Sequence, residues 1–593
     1  MVSLGIDLGT TFSGAASIVN GNVVHISHET GREFLESMVK FIGDTYVVGA
    51  LDGNLEDFNE PCVVFDSKRM IGRKFSDSQV QRMISDWPFT VTSVDDEIQI
   101  TVSDGTGTRN YTPVQISALI LKRLKEMAER QLGEPVVSTV VTIPARFGNA
   151  QRKATRDACK LAGLPKCSLL QEPTAAAIAY IDTDNVPVGK MILVYDLGGG
   201  TFDVSIVVKT ENGFEVKHTL GDTALGGRDF DQRLVSLLRE KFQRKHSKQL
   251  PRDPHTNNAL LSRCVKAKMQ LSHLMRSKVI LGSLSLSEEI TRAEFENCNR
   301  DLFARTIQLI DDLFREYNLT KEQIYKVVVV GGSTRIPKIH NLLSEYFGEE
   351  RITHQIHPDR AVVEGAAKHA ENLTRPREEQ LSRLIVKDIN PLDLGVESAD
   401  GRMVPIIGRE TTVPAEGLHY ATTVSNNQTD MQIKVYEGND PIARNNLLVG
   451  KFTLSNLPAL PARKVLVCIT FRYTEESIVE VIADCVSNGV SRVVKIDLPS
   501  ERRRVAERDR QQADLNRLQY GNVPHRERDP TIEELETEVH RNMHDPTASD
   551  LLKHVCQSIL QWIRTSNTFT VADIYDKLNR IEAAKLPPIL LPA

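Results

Sequence analysis

The stretch LVYDLGGGTFDVS, residues 193–205, decides the fold. An apolar run from Leu193 to Tyr195 delivers Asp196, then Gly198, Gly199 and Gly200, then Thr201. The same order appears in LGIDLGTTFSG, residues 4–14, where an apolar run delivers Asp7, then Gly9, then Thr10 and Thr11. An internal echo of this kind points to two halves of one ancestral design. At strand ends, Asp7 and Asp196 can hold the waters of Mg²⁺. Gly9 and Gly198 to Gly200 let backbone N–H groups approach phosphate oxygens with no Cβ in the way. Thr10, Thr11 and Thr201 add hydroxyl donors. The alternative reading is a pair of β-hairpin turns, because Asp-x-Gly is common in turns. A third turn, GGSTRIP at 331–337, follows a valine run and can bring backbone close to a base or sugar, with Arg335 stacking on the base; its alternative is a helix start capped by Ser333. Neither GxxxxGK[ST] nor GxGxxG occurs, so a P-loop or dinucleotide fold lacks its signature.

Outward from these loops, the chain through about residue 370 reads as α/β. Short apolar runs such as Met191 to Tyr195 and Lys326 to Val330 suggest buried parallel strands, and Phe230, Leu234, Leu237, Leu238 and Phe242 gather on one helical face. NLTRPREE, 372–379, loses the apolar period and reads as a linker before the run Leu384 to Val386. The period then falls to two. Met431, Ile433 and Val435 oppose Gln432, Lys434 and Tyr436, and Val465, Val467, Ile469 and Phe471 repeat the arrangement, so an antiparallel β domain is expected up to about Pro499. Beyond Ser500 the strands are expected to stop. ERRRVAERDRQQADLNRL reads as a solvated helix, Leu551 to Ile563 as a second amphipathic helix, and LPPILLPA as an apolar tail.

Composition bounds the rest. The 593 residues exceed one compact core, and 78 acidic against 73 basic side chains give a net charge of -5, so no global positive field favours nucleic acid or a membrane surface. A 40% hydrophobic, 25% charged composition is ordinary for globular chains. The eight cysteines are scattered with no CxxC pair, no early run resembles a leader, and no later run approaches a membrane span; a cytoplasmic protein is expected.

Together these features resemble the heat shock protein 70 family of chaperones. The likeness runs in order through DLGTT, FDSKRMIGRKF, WPF, VVTIPARF, QEPTAAAIAY, DLGGGTFDVS, GDTALGGRDFD, VVVVGGSTRIPKI, HPDRAVVEGAA, NPLDLGVE, NNQ, VYEG and LLVGKF. The resemblance implies an actin-like (ribonuclease H-like), two-lobed α/β ATPase domain at 1–380, a linker at 381–391, a β-sandwich peptide-binding domain at 392–499, a helical lid at 500–585 and an apolar tail at 586–593. It implies ATP or ADP with Mg²⁺, the ion held through water by Asp7 and Asp196. Lys68 falls on a lysine needed for γ-phosphate hydrolysis, and Glu172, Asp196, Thr201 and Asp203 complete the hydrolytic set. Gly9, Thr10, Thr11, Phe12, Gly198 to Gly200, Gly226, Gly227, Lys268, Ser272, Gly331, Gly332, Ser333, Arg335 and Asp359 fall on nucleotide-binding positions. Pro144, Arg152 and Asp388 fall on a relay between nucleotide and linker. The peptide cleft aligns with Val396, Ala399, Ala421, Thr422, Val424, Met431, Ile433, Val435, Leu454 and Val467; the alternative for each is ordinary sandwich core.

The departures carry expectations of their own. Met269 stands where an arginine stacks on adenine, and Val265 where a carboxylate accepts a ribose hydroxyl, which weakens nucleotide binding. Ser168 replaces an arginine for J-domain contact, Arg146 a tyrosine, and Lys387 a linker leucine, which weakens coupling to J-domain co-chaperones. The resemblance implies unfolded polypeptides and nucleotide-exchange factors as further partners. The final residues are not EEVD, so tetratricopeptide partners are not expected. The leading reading is an ATP-dependent chaperone whose hydrolysis closes a peptide clamp. The alternatives are a nucleotide-bound regulator akin to the family's exchange-factor relatives, with weak turnover, and an actin-like sugar kinase.

Overall fold

The run VSLGIDL forms the strand Val2–Leu8, which is buried almost throughout, with Leu4, Ile6 and Leu8 on one face and Ser3, Gly5 and Asp7 on the other. The computed structural model describes residues 2–29, 31–49, 62–103, 107–181, 186–247, 249–251, 253–281, 286–353, 356–374, 385–474, 479–496 and 501–520, together with 539, 553 and 556–560. Val2–Leu8 lies at the centre of a first sheet ordered Cys167–Gln171, Val136–Ile143, Val2–Leu8, Phe12–Val19, Asn22–His25. The first three strands are parallel; the last two return antiparallel. A second sheet repeats the plan. Ile324–Val330 runs parallel to Met191–Leu197, and Phe202–Thr210 and Gly213–Asp222 return antiparallel.

The echo in sequence is thus an echo in structure. Parallel pairing holds for the two valine-rich runs, and at each glycine loop the chain returns antiparallel, as a turn of a few residues requires. The hairpin reading of those loops is therefore right about the backbone. The helices Glu172–Ile181 and Ala361–Thr374 pack on each other and share one core with both sheets, joining Val140 and Leu170 to Ile192 and Val207. On the helix Gly227–His246, Phe230, Leu234, Leu238 and Phe242 are buried as the periodicity predicts, while Leu237 packs at the margin.

Ile385–Lys387 adds a parallel fifth strand to the second sheet beside Gly213–Asp222, with Lys387 exposed to water. Two four-stranded antiparallel sheets follow. Met403–Ile407, Leu394–Glu397, Met431–Glu437 and Leu447–Leu454 form one; Ala415–Thr422, Leu466–Tyr473, Val479–Cys485 and Ser491–Ile496 form the other. They share a core that includes Val435, Val467, Ile469 and Phe471. Tyr436 keeps the simple alternation. The register shift beside it places the extra residue, Val449, in the partner strand, and Tyr436 stays on the face opposite Val435, where it is buried with Met403 and Ala443.

Glu501–Arg517 is a helix with Arg508, Arg510 and Arg517 exposed, and Leu515 and Leu518 enter the core of the first half. Strands do not stop at Ser500, however. Gln519–Tyr520 pairs in parallel with Thr45–Val48, and Tyr520 meets Tyr46 edge-on at 5.5 Å under the Arg123 guanidinium, 4.2 Å from the ring centre. This strand is made by tertiary aromatic packing, which leaves no period in the sequence. The described chain through Tyr520 forms one unit and 521–593 a second, in which Val539, Cys556 and Ile559 are buried. Most of the expected Leu551 to Ile563 helix, the apolar tail and 375–384 lie outside the described residues. No described helix is long and apolar enough to cross a membrane, and all eight cysteines are free.

Candidate active site

Both glycine loops open on one cleft. In the first, the Gly9 N–H donates to Ser13 Oγ at 3.2 Å and Ser37 Oγ donates to the Gly9 carbonyl at 2.8 Å, which fixes the turn. In the second, the N–H groups of Gly227 and Arg228 donate to the carbonyls of Gly198 and Gly199 at 2.9 and 2.8 Å, so the helix start holds the loop from behind. The loops touch. A Cβ on Gly199 would lie 2.0 Å from Thr11 Oγ1, and one on Gly200 would lie 2.9 Å from Thr10 Oγ1, so only glycine permits this approach. Gly331 has φ 86°, in the left-handed region, and Ser333 Oγ donates to the Gly198 carbonyl at 2.8 Å instead of capping a helix. The third turn is thereby tied to the second.

At the floor of the cleft, Lys68 Nζ donates to Glu172 Oε1 at 2.6 Å, both side chains being buried. Asp7 accepts from Thr142 Oγ1 at 3.2 Å. Asp196 and Asp203 sit opposite each other on paired strands. Burial pushes the Asp7 carboxyl up to about 7, with Glu172 adding to the rise and Lys68 opposing it. Burial likewise lifts Asp203 to about 7, with Glu172 adding and Arg146 and Lys68 opposing, and it raises Asp196 well above the ordinary range. Neither carboxylate oxygen of Asp203 has a hydrogen-bond partner among the described residues. Four acidic groups around one ammonium are short of positive charge. A hydrated divalent cation matches that deficit, so the residues present fit Mg²⁺ held through its waters.

The residues expected on the base side are already engaged with protein partners. Lys268 Nζ pairs with Asp231 at 2.8 Å and donates to the Gly227 carbonyl at 2.9 Å, and Ser272 Oγ donates to the Lys268 carbonyl at 3.3 Å. Arg335 Nη2 pairs with Asp359 Oδ2 at 2.7 Å and contacts His357 Nε2 at 2.9 Å. Phe12 and Met269 are exposed, whereas Val265 packs against the core of the first half. Gly226 stacks under Gly199, and Gly332 lies beside Asp359. The sequence reading gave Asp231 no role, although it is the buried partner that holds Lys268.

The relay positions gather at the linker. Gln171 Nε2 donates to the Ile389 carbonyl at 2.9 Å, and Thr174 Oγ1 donates to Asp388 Oδ1 at 2.5 Å. Arg152 donates to the Phe147 carbonyl at 2.7 Å; burial raises the carboxyl pKa values of Asp388 and Glu437, and the charge of Arg152 opposes both rises. Pro144 is buried at the end of the strand Val136–Ile143. The buried Glu437 accepts from the Asn149 N–H at 3.0 Å and from Asn149 Nδ2 at 2.8 Å. Glu410 contacts His218 Nδ1 at 3.2 Å, and Arg409 pairs with Glu316. Glu437 falls in the VYEG motif but has no role in the sequence reading, and Glu410, Asn149 and His218 are not singled out there.

Most proposed peptide positions are not gathered on a surface. Val396, Met431, Ile433, Val435, Leu454 and Val467 belong to the sandwich core, while Ala421 is half-buried and Ala399, Thr422 and Val424 are exposed.

The family model described as Hsp70 protein matches residues 3–586. The chain belongs to the Hsp70 family. It is 38% identical over 512 residues to the heat shock 70 kDa protein of Neurospora crassa, covering 86% of this chain and 79% of that one. It is 34% identical over 608 residues to heat shock cognate 70 kDa protein 3 of Dictyostelium discoideum, covering 99% and 96%. It is 37% identical over 543 residues to heat shock 70 kDa protein BIP3 of rice, covering 91% and 81%. Members of the Hsp70 family are ATPases and molecular chaperones, and this chain is one of them. The family binds nucleotide, unfolded polypeptides and co-chaperones.

Proposed function

We propose that this Hsp70 hydrolyses ATP in the cleft between the two glycine loops and uses the linker to report hydrolysis to a peptide-binding β-sandwich. The sequence Gln171-Glu172-Pro173-Thr174 carries the reading: Glu172 pairs with Lys68 in the cleft, while its neighbours Gln171 and Thr174 bond Ile389 and Asp388. A shift of Glu172 therefore pulls directly on the linker. Lys68 offsets charge spreading over the departing phosphoryl oxygens, and Asp203, whose oxygens are unpartnered among the described residues, accepts from the attacking water. Mg²⁺, held through water by Asp7 and Asp196, supplies neutralisation of phosphate charge. Thr10, Thr11, Thr201 and the loop N–H groups orient the phosphates; Arg335 and Met269 lie on the base side.

In the same proposal the two halves through about residue 380 are actin-like lobes, and 392–499 clasps extended apolar segments. Glu501–Arg517 begins the lid, and J-domain proteins and exchange factors drive the cycle. The compartment is the cytoplasm, for which eight free cysteines speak. The test is phosphate release from ATP with and without an unfolded apolar peptide, for wild type and Lys68→Ala. Turnover that rises with peptide and falls more than tenfold in the variant is expected. A Lys68→Ala protein that hydrolyses at the wild-type rate overturns the site, and turnover indifferent to peptide points to a regulator instead.

A further inference from the structure

Lys68 is flanked within one helical turn by two charges that cross the cleft. Asp66 Oδ1 accepts from Arg228 Nη2 at 3.2 Å, and Arg69 Nη2 donates to Asp229 Oδ2 at 2.9 Å. Asp66 and Arg69 belong to the short turn Ser67–Met70 and its cap, in the first half. Arg228 and Asp229 open the helix Gly227–His246 in the second. Acid and base alternate, so the two ion pairs run in opposite senses between adjacent elements and resist both sliding and opening. The seam is backed on each side. Trp87 Nε1 donates to Asp66 at 3.2 Å, and the Arg228 guanidinium lies 4.8 Å over the Phe65 ring. Thr223, near the start of that helix, accepts from Gln79 Nε2 at 2.9 Å.

Arg69 does more than pair with Asp229. Its Nη2 also donates to the Gly200 carbonyl at 3.3 Å, and its buried Nε has no hydrogen-bond partner among the described residues. That nitrogen lies 2.8 Å from the point a Gly200 Cβ would occupy. A buried guanidinium held against a glycine loop with a donor left unpaired is costly and is retained where geometry matters more than stability.

We propose that Arg69 is a positioning residue for hydrolysis, forming with Asp66, Arg228 and Asp229 a crossed clasp that sets Lys68 against the Gly198–Thr201 loop when the two halves close. The clasp rests on the reading of Lys68 given above. It acts through Lys68, since Asp66 and Arg69 fix both ends of the turn that carries it. Breaking one pair leaves a buried charge uncompensated and favours the open cleft.

The experiment measures single-turnover hydrolysis of pre-bound ATP and the ADP dissociation rate for the intact chain. The variants are Arg69→Ala, Asp229→Asn, their double, and Arg69→Ala combined with Lys68→Ala. Arg69→Ala is expected to slow hydrolysis at least tenfold and to speed ADP release severalfold. Asp229→Asn should do the same more weakly, and the double should be no worse than Arg69→Ala. In the Lys68→Ala background, Arg69→Ala should change the residual rate less than twofold, a non-additivity that general destabilisation does not produce. Arg69→Lys keeps the charge but cannot reach both Gly200 and Asp229; it should recover part of the rate and serves if the alanine variant does not fold. Hydrolysis within twofold of wild type in Arg69→Lys and Asp229→Asn, or equal losses with and without Lys68, overturns the proposal. If Lys68→Ala alone keeps its rate, the reading of the site has failed, and ADP release from Arg69→Ala then tests the clasp by itself: a rate within twofold of wild type overturns it as well.

Discussion

Glu437 makes the docking of the sandwich on the ATPase portion sensitive to pH. Its carboxylate is almost fully buried and accepts from the Asn149 N–H and side-chain amide at the start of the helix Asn149–Leu161. Burial pushes the carboxyl from the ordinary 4.5 up to about 7, opposed by the hydrogen bonds from Asn149 and by the charge of Arg152. Undocking returns the group to water and to its ordinary value, so docking takes up a proton. The contribution is fully favourable below the undocked value and is lost as pH rises through about 7. Linkage between these two values gives on the order of 1 kcal/mol between pH 8 and pH 6, roughly a tenfold stronger docking in acid. Hydrogen exchange at the Asn149 amide and at Ile385–Lys387, corrected for the intrinsic rate, reads that equilibrium. His218, Glu410 and Asp388 also lie at the contact, so the comparison is with Glu437→Gln, which keeps an acceptor for Asn149 and cannot ionise. The variant should lose most of the pH dependence and dock more tightly than wild type at pH 8. Identical slopes for the two proteins would show that Glu437 does not carry the effect.

Two further outcomes are expected. Met269→Arg should tighten nucleotide binding by about 0.5–2 kcal/mol, the value of a cation stacked on an aromatic face, because the exposed Met269 leaves room for a guanidinium; titration calorimetry reads it, and unchanged affinity refutes the stacking. Tyr520→Ala removes both the Tyr46 edge contact and the Arg123 cation–π contact, together about 1–3 kcal/mol, and should release Glu501–Arg517 from the first half. Exchange protection of that helix, unchanged in the variant, would count against the anchor.

The parts of the molecule that were legible are those fixed by local rules. Asp7 and Asp196 could be placed at strand ends because glycine runs, apolar runs and threonines lie within a dozen residues of each other, and the structure sets both loops in one cleft. The sandwich was legible from its period of two. Where a local rule had an equal competitor it left two readings open. A continuous apolar run fits a parallel or an antiparallel buried strand, and Met191–Leu197 has one neighbour of each kind. Tyr436 lies on the face opposite Val435 as the period has it, but its burial by Met403 and Ala443 depends on residues from other segments and leaves no mark in that period. The peptide positions show the same limit: an inward residue of a sandwich satisfies equally the pattern for core and for cleft, and Val435 and Val467 are core.

What was not legible is of another kind. Arg69 and Asp229 are 160 residues apart in sequence, and Asn149 and Glu437 are 288 apart. A single charge carries no period, and its partner is chosen only when two separately folded elements meet. Burial then decides its weight: on a surface the same pairs contribute little, whereas in a closed seam the loss of one partner leaves the other charge without water. Chemistry and coupling are therefore encoded differently. The glycine loops proposed to hold phosphate are written in backbone-permissive residues, of which Gly199 and Gly200 leave no room for a Cβ, while the contacts joining cleft, linker and sandwich are written in long side chains whose meaning depends on the far end of the chain. Gln171, Glu172 and Thr174 sit where the two codes overlap. One residue faces Lys68 and two face the linker, so a displacement too small to break the fold is enough to be felt on both sides.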